Sequence, residues 1–542
     1  MVAGARRDGE VRRRSGRAAA GALALGVSLA LVAGCGAGPR ASARKPSATS
    51  SSTSSSDTRL TASASPLEAL PAAVPAALQP YYHQKLRWKA CDDGFQCATV
   101  RVPMDYDHPG AAGGGDIALG VVRKQAFGSH RLGSLLVNPG GPGGSAVDYA
   151  EFAGMSYPLP VRKAYDIVGV DPRGVGRSRP VSCLSDSRMD AYTEVDQDPR
   201  TPAGIDALIR ADREFAQGCA QHSGKLLGHV STVESARDMD VVRAALGQPR
   251  LDYLGKSYGT FLGATYAGLY PSRVGKMVLD GSMDPAIDTR TSNEQQAGGF
   301  QTAFASFARD CAKRPGCPVG KDPAKAGQQL DALFAALAKH PAPAMGGRSL
   351  DQPLAMTGVL AAMYDQTEWP QLRTALAQAQ RGKGAPLLAL SDQYYERDPK
   401  GHYSNLMYAN MAVNCLDQPS AATTAAQVEH QLPAFEKASP QFGASLAWAG
   451  LSCAYWPVKA TGAAHTVPAE GAPPIIVVGT TRDPATPYAW AQSLAGQLSS
   501  GRLLTYDGDG HTAYSRGSTC IDNAIDAYLL AGTEPRAGLV CH

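Results

Sequence analysis

A single serine between two glycines is the residue that most clearly suggests chemistry in this sequence of 542 residues. Ser257 lies in the sequence Gly-Lys-Ser-Tyr-Gly, after an apolar run at 251–254 and before a stretch of small residues that favours a helix. A strand, a tight turn and a helix in this order form a nucleophile elbow, which exposes the serine oxygen above the edge of a sheet. The chain has 58 glycines, so the pattern also arises by chance. Whether Ser257 is a nucleophile therefore depends on whether the sequence also contains a suitable base and carboxylate.

The partners that a nucleophilic serine requires are found near the C-terminus. A serine hydroxyl needs a base to take its proton, and the base needs a carboxylate to orient it. In α/β-hydrolases the order is Ser, then Asp or Glu, then His, each after a strand. Asp483 follows the apolar run 475–479, and His511 follows the run 503–506. His542 is the terminal residue, and the two aspartates just before His511 are interpreted as turn residues. We therefore expect Asp483 and His511 to complete a triad.

A glycine-rich run at 138–144, Asn-Pro-Gly-Gly-Pro-Gly-Gly, follows an apolar segment and is the candidate oxyanion loop. Backbone N–H groups that already point at the developing oxyanion stabilise acyl transfer, and glycines allow close approach of the backbone. We expect the amides of Gly141 and Tyr258 to form this site. A phosphate-binding loop is the competing interpretation, but the run lacks the P-loop lysine and a G-x-G-x-x-G pattern. An ordinary glycine-rich turn is the other alternative.

The N-terminus carries the pattern of an exported protein. Arginines at the start are followed by an apolar run and by Leu-Val-Ala-Gly-Cys, which predicts a lipoprotein-type signal peptide over residues 1–35 with lipidation at Cys35. An ordinary signal peptide that is cleaved nearby is the alternative. Residues 36–66 are rich in Ser, Thr, Ala and Pro and predict a flexible tether. We therefore expect a cell-surface lipoprotein or a secreted protein.

Apart from Cys35, the chain has ten cysteines, an even number that predicts disulfides in an exported protein. Pairing in sequence order closes the shortest loops, although composition alone allows other pairings. No Cys-x-x-Cys or Cys/His cluster favours a metal site. The net charge of +4 is small for this length, so no nucleic-acid partner is expected. The expected pairs are Cys91 with Cys97, Cys183 with Cys219, Cys311 with Cys317, Cys415 with Cys453, and Cys520 with Cys541.

The remaining sequence predicts an α/β fold. Short β-rich segments come first and then alternate with helical segments, which predicts a mostly parallel sheet flanked by helices. From residue 285 to 457 the strand signal fades and successive helical segments follow. We expect an α/β-hydrolase core over 80–284 and 458–542, with a large helical cap inserted over 285–457 before the strand that carries Asp483.

Four motifs in the same order resemble the exported actinobacterial tripeptidyl aminopeptidases, which belong with the proline iminopeptidase-like α/β-hydrolases. They are the glycine-rich loop at 138–145, the strand and loop at 165–178, the elbow at 255–259, and the pair Gly-Thr-Thr-Arg-Asp at 479–483 with Gly-His at 510–511. The resemblance extends from about residue 80 to the C-terminus. Relatives often have His where Pro139 stands in this chain.

The resemblance implies a serine peptidase that releases short peptides, tripeptides in particular, from free N-termini through an acyl-enzyme on Ser257, without a cofactor. Recognition of a free ammonium requires acidic groups, and the cap is the expected place for them. The first candidate for the acidic group that binds the ammonium is Asp417, which lies in a stretch that resembles a recurring cap segment of the family. The second candidate is Glu368. A carboxylesterase with the same triad is the rival function, and an inactive surface binding protein is a further alternative.

Overall fold

The computed structural model describes residues 64–91 and 94–542, and these described residues belong to one compact unit. The signal peptide, Cys35 and nearly all of the predicted tether therefore lie outside the described residues. Twelve strands are present in the described residues. They are β1 (Lys89–Ala90), β2 (Gln96–Pro103), β3 (Asp116–Lys124), β4 (Gly133–Asn138), β5 (Tyr165–Val170), β6 (Leu251–Lys256), β7 (Val274–Asp280), β8 (Ala342–Pro343), β9 (Ser349–Leu350), β10 (Ile475–Arg482), β11 (Gly501–Asp509) and β12 (Val540–Cys541).

Ten of these strands form one sheet in the order β1-β2-β3-β5-β4-β6-β7-β10-β11-β12. Pairing is antiparallel from β1 to β5 and parallel from there to β12. The central strands are almost continuously apolar and fully buried, as expected of parallel strands that are covered on both faces. The carboxyl ends of β4, β6, β7, β10 and β11 consequently meet at one edge of the sheet.

Seventeen α-helices are present in the described residues and surround or extend the sheet. They are α1 (Gln79–Tyr82), α2 (Ala146–Ser156), α3 (Leu159–Ala164), α4 (Asp186–Thr193), α5 (Pro202–Ser223), α6 (Thr232–Ala245), α7 (Tyr258–Leu269), α8 (Thr289–Ala312), α9 (Ala326–Lys339), α10 (Gln352–Met363), α11 (Trp369–Ala379), α12 (Ala385–Tyr394), α13 (Leu406–Asp417), α14 (Ala425–Ala438), α15 (Gly443–Ala449), α16 (Tyr488–Gln497) and α17 (Thr519–Ala531).

Helices cover both faces of the sheet. Side chains of α2, α3 and α17 pack with one face in one hydrophobic cluster, and those of α6, α7 and α16 pack with the other face in a larger cluster. All twelve residues of α7 are buried, which explains why this helix consists of small and apolar residues. The fold class predicted from the sequence, an α/β-hydrolase with a mostly parallel sheet, is confirmed.

The segment between β7 and β10 is helical, from α8 to α15. It contains one small sheet, a hairpin formed by the two-residue strands β8 and β9, in which Ala342 pairs with Leu350. The sequence analysis missed this hairpin because two-residue strands carry no periodic signal. Helices α9 to α12 and part of α8 form a separate hydrophobic cluster. Helix α13 differs, because Tyr408, Val413 and Leu416 pack in the main hydrophobic cluster.

Five disulfides join the ten cysteines of the described residues in sequence order. The bonds are Cys91–Cys97, Cys183–Cys219, Cys311–Cys317, Cys415–Cys453 and Cys520–Cys541. The fourth bond attaches the end of α13 to the segment after α15. The structure thus has the pairing that closes the shortest loops.

Candidate active site

Ser257 lies at the turn between β6 and α7, with φ 54° and ψ −126°. This left-handed conformation is costly for a residue with a side chain and typically marks a functional turn. The flanking glycines are required by space: a Cβ on Gly255 would lie 2.2 Å from the carbonyl oxygen of Gly259, and a Cβ on Gly259 would lie 2.9 Å from that of Asn138. The local sequence therefore forms the predicted nucleophile elbow.

Asp483 and His511 lie directly after the two adjacent parallel strands β10 and β11. The Nδ1 atom of His511 is 2.9 Å from each carboxylate oxygen of Asp483. Asp483 also accepts hydrogen bonds from the backbone amides of Ala485, Thr486 and Thr512 at 2.8–3.3 Å. These bonds fix a carboxylate that is only 2% exposed. The Nδ1 atom is thus bonded to the carboxylate, whereas Nε2 is not.

Ser257 and His511 line the same cavity, which has a volume of about 340 Å³. The Nε2 atom of His511 is buried and has no hydrogen-bond partner in the described part of the chain. Catalytic hydrogen bonds are often long or poorly aligned before substrate binds. The structure thus brings the predicted base and nucleophile to one site, with the base nitrogen unoccupied by any other protein group.

The glycine-rich loop after β4 lies against the elbow. Gly141 lines the cavity, and a Cβ on Gly140 would lie 2.8 Å from the backbone nitrogen of Tyr258. Gly140 itself donates to Oδ1 of Asn138 at 2.9 Å, which fixes the turn. Within residues 64–91 and 94–542, the amides of Gly141 and Tyr258 donate to no other protein group. The amide of Tyr258 is also at the N-terminus of α7, where the helix dipole favours negative charge.

The two candidate acidic residues have different environments. Glu368 lines the cavity with Ser257, and its carboxylate has no ion pair or hydrogen bond to any described residue. Asp417 is absent from the cavity lining and instead accepts hydrogen bonds from the backbone amide and the hydroxyl of Thr232, at 2.7 and 2.5 Å. Burial raises the pKa of Asp417 to about 7. The structure thus brings Glu368 to the candidate site and does not bring Asp417 there.

Two further residues of the cavity wall were not singled out by the sequence. The carbonyl oxygen of Tyr364 accepts a hydrogen bond from the backbone amide of His511 at 2.8 Å, and its ring meets the imidazole edge-on at 5.5 Å. Asn410 on α13 donates to the carbonyl oxygen of Pro142 at 3.1 Å. Both contacts join the helical segment to the catalytic loops. No short-range pattern predicts them, because each partner is more than a hundred residues away.

Most of the other cavity wall is apolar, with Ala361, Ala362, Leu390, Leu406 and Met407 among its residues. Across the described ranges, no three His, Cys, Asp or Glu side chains are grouped so as to hold a metal ion. None of the helices in those ranges combines the length and apolarity that crossing a bilayer requires. The cavity therefore offers an apolar surface, Glu368, and the Ser257 and His511 side chains of the candidate triad.

Comparisons with known proteins find relatives over most of the chain. A family model described as TAP-like protein matches residues 439–541. The chain is 40% identical over 484 residues to the serine protease Hip1 of Mycobacterium tuberculosis, covering 85% of this chain and 92% of that protein. It is 42% identical over 457 residues to carboxylesterase B of the same species, covering 82% and 86%. It is 34% identical over 471 residues to the tripeptidyl aminopeptidase of Streptomyces lividans, covering 82% and 83%.

Proposed function

The chain belongs to the TAP-like family of α/β-hydrolases and is a serine peptidase of that family, and we propose from this premise that it is an exported aminopeptidase releasing short peptides, tripeptides in particular, from free N-termini. The reacting groups are Ser257, His511 and Asp483. The observation that carries the proposal is the presence of Ser257, His511 and the unpaired carboxylate of Glu368 in one cavity of about 340 Å³.

Acylation follows from the positions of the three side chains. His511 takes the proton of the Ser257 hydroxyl through Nε2 as the serine oxygen attacks the scissile carbonyl. Asp483 accepts the Nδ1–H bond and stabilises the imidazolium that forms. The amides of Gly141 and Tyr258 donate to the oxyanion of the tetrahedral intermediate.

The second half of the reaction uses the same groups. The imidazolium donates its proton to the leaving amine, so the C-terminal portion of the substrate departs and the acyl-enzyme on Ser257 is left. His511 then takes a proton from water, and the resulting attack releases the short peptide and restores the serine. No step requires a metal ion or a cofactor.

Glu368 gives the site its preference for a free N-terminus. An ammonium in an apolar cavity needs a carboxylate partner, because burial of an unpaired charge is costly. Among the described residues that line the cavity outside the triad, Glu368 supplies the one carboxylate. It is therefore the proposed partner of the substrate ammonium, in preference to Asp417.

The experiment compares an unblocked tripeptide p-nitroanilide with the same compound acetylated at its amine. The wild-type protein should hydrolyse the unblocked compound but not the acetylated one. Ser257→Ala should hydrolyse neither. Equal rates on both compounds would exclude recognition of a free N-terminus.

A carboxylesterase is the second candidate, because a relative at 42% identity carries that name and most of the cavity wall is apolar. The same triad cleaves esters. A preference for p-nitrophenyl esters of acyl chains over both tripeptide compounds would favour the esterase. An inactive binding protein would fail to react with a fluorophosphonate probe at Ser257.

The proposed location is the outer face of the cell membrane, with Cys35 lipidated and residues 36–66 as the tether. Cys35 lies outside the described residues, so the support is the sequence pattern. Mass spectrometry of the mature N-terminus should find a lipidated Cys35, and Cys35→Ser should release the protein into the medium. An unmodified N-terminus at another residue would exclude the anchor and leave a secreted enzyme.

A further inference from the structure

We propose that Asp280 and Lys256 are positioning residues that hold the loop carrying His511 in place next to Ser257. The proposal rests on the triad proposed above. Neither residue is among those that line the cavity. Their contacts join the elbow to the loop that carries the base.

Asp280 holds the base loop through two backbone amides. It is the last residue of β7 and is fully buried. Its Oδ1 atom accepts from the amide of Ala513 at 2.9 Å, and its Oδ2 atom accepts from the amide of Tyr514 at 3.0 Å. A buried carboxylate is costly unless such bonds satisfy it. The loop two and three residues after His511 is therefore fixed to the end of β7.

The backbone of Asp280 holds the elbow at the same time. Its carbonyl oxygen accepts a hydrogen bond from the amide of Ser257 at 2.9 Å. One residue thus bonds the nucleophile through its main chain and the base loop through its side chain. Asp280 thereby connects the two loops directly.

Lys256 makes a second connection between the same loops. It occupies the variable position before the serine in the elbow, and its Nζ atom donates to the carbonyl oxygen of Tyr514 at 2.7 Å. The same atom lies 3.7 Å from Oδ2 of Asp280 and compensates that buried charge. The lysine of Gly-Lys-Ser-Tyr-Gly thereby acquires a role that the sequence pattern alone does not assign.

The base loop needs such support because its backbone is strained. Thr512 has φ 66° and Ser515 has φ 59°, both in the left-handed region, and they flank the two residues that Asp280 holds. For a β-branched residue such as threonine this conformation is a clear outlier. Strained residues persist only where the surrounding structure fixes them. Loss of the Asp280 bonds should let the loop relax and move the imidazole of His511.

The test compares Asp280→Asn with the matched control Asp252→Asn in the full chain. An asparagine accepts at one oxygen and turns its NH₂ toward the second amide, so the loop loses one bond and gains a repulsive contact. Asp252 lies at the opposite end of β6, where its Oδ1 atom accepts from the amide of Lys276 at 2.7 Å. An asparagine can keep that one bond, so this variant reproduces the loss of a carboxylate charge at a position away from the cavity.

Four quantities are measured for each variant: kcat and KM on the unblocked tripeptide p-nitroanilide, the rate constant for fluorophosphonate labelling of Ser257, and Tm. We expect Asp280→Asn to lower kcat and the labelling rate by about 100-fold, as a misplacement near 1 Å does, with KM nearly unchanged. Asp252→Asn should leave kcat and labelling at the wild-type level.

If Asp280→Asn does not fold, Lys256→Met tests the positioning role instead, because it keeps the apolar stem of the side chain and removes the donor to Tyr514. It should lower kcat and labelling together by a smaller factor. Wild-type kcat in a folded Asp280→Asn or Lys256→Met protein would overturn the proposal, as would an equal loss of kcat in Asp252→Asn. Failure of the wild-type protein to label at Ser257 would instead overturn the proposed function.

Discussion

The Nδ1 atom of His511 is 2.9 Å from both carboxylate oxygens of Asp483, whereas its Nε2 atom has no partner within the described residues. One ring nitrogen is therefore committed to the carboxylate, and His511 lines the cavity that Ser257 also lines. This asymmetry is what a base in acyl transfer requires, since the carboxylate selects the tautomer and leaves the second nitrogen able to accept a proton.

Asp483→Asn should reduce kcat by about 10⁴-fold while the protein stays folded, because an amide favours the wrong imidazole tautomer. Asp509→Asn is the matched control, since Asp509 lies two residues before His511 but pairs with Arg482 at 3.0 Å. The measurement is kcat on the unblocked tripeptide substrate, with circular dichroism to verify folding. A full-rate Asp483→Asn enzyme would show that another carboxylate orients the base.

Glu368→Gln should raise KM for free-amine substrates without affecting acetylated ones, because it removes the charge that pairs with the ammonium. A hydrogen bond to a charged group contributes about 1.5–3 kcal/mol, so kcat/KM on the unblocked compound should fall by about 10- to 150-fold. Asp417→Asn serves as the control and should leave the ratio of the two compounds unchanged. If Asp417→Asn alone abolished the discrimination, the ammonium site would have been assigned to the wrong carboxylate.

Gly140→Ala should impair acylation, because its Cβ would lie 2.5 Å from the carbonyl oxygen of Lys256 and 2.8 Å from the amide nitrogen of Tyr258. Displacement of the loop removes a donor from the oxyanion, and loss of one such donor costs about 10²–10³ in kcat. Gly110→Ala is the control for backbone strain alone, since Gly110 has a similar φ of +86° and no neighbour near its Cβ position. Both variants should lose stability, and equal kcat values in the two would contradict the prediction.

Asp417 should make the free energy of unfolding depend on pH between about 4 and 7. Burial raises the pKa of Asp417 from 3.8 to about 7, and repulsion by Glu234 adds to the effect of burial. The folded protein therefore binds the proton more tightly than the unfolded chain does, so stability falls as pH rises through this window. The slope from one such group is at most about 1.4 kcal/mol per pH unit.

Urea denaturation of the wild-type protein and Asp417→Asn at pH 5 and pH 7.5 checks this sign. The stability of the wild type relative to the variant should decrease from the lower pH to the higher one, because asparagine stays neutral throughout. A relative increase would mean that the folded protein lowers the pKa of Asp417, as a hydrogen-bonded carboxylate in a salt bridge does.

The sequence predicted those regions of the site that follow a strand directly. Ser257, Asp483 and His511 each come within two residues of a strand end, and parallel strands bring their carboxyl ends to one edge of a sheet. The chain order Ser, Asp, His then limits the choice of residues. The glycine-rich loop after β4 was found by the same reasoning.

The features that the sequence did not predict depend on contacts between distant segments. Choosing between Glu368 and Asp417 requires the packing of the helical segment on the sheet, which helical periodicity does not determine. Asp280 is the last residue of a strand, so its position was a usable signal, but its role depends on hydrogen bonds to a loop more than two hundred residues away. The hairpin β8–β9 is too short to produce an alternating pattern.

The two walls of the cavity belong to different hydrophobic clusters. Ala362 and Leu390 pack in the bundle built from α8 to α12, whereas Met407 of α13, which also lines the cavity, packs against the main core. An opening between these walls would move two complete cores apart instead of breaking one, and its cost would come from polar links such as the ion pair between Arg516 and Asp365. If the two walls separated, each could keep its own hydrophobic packing.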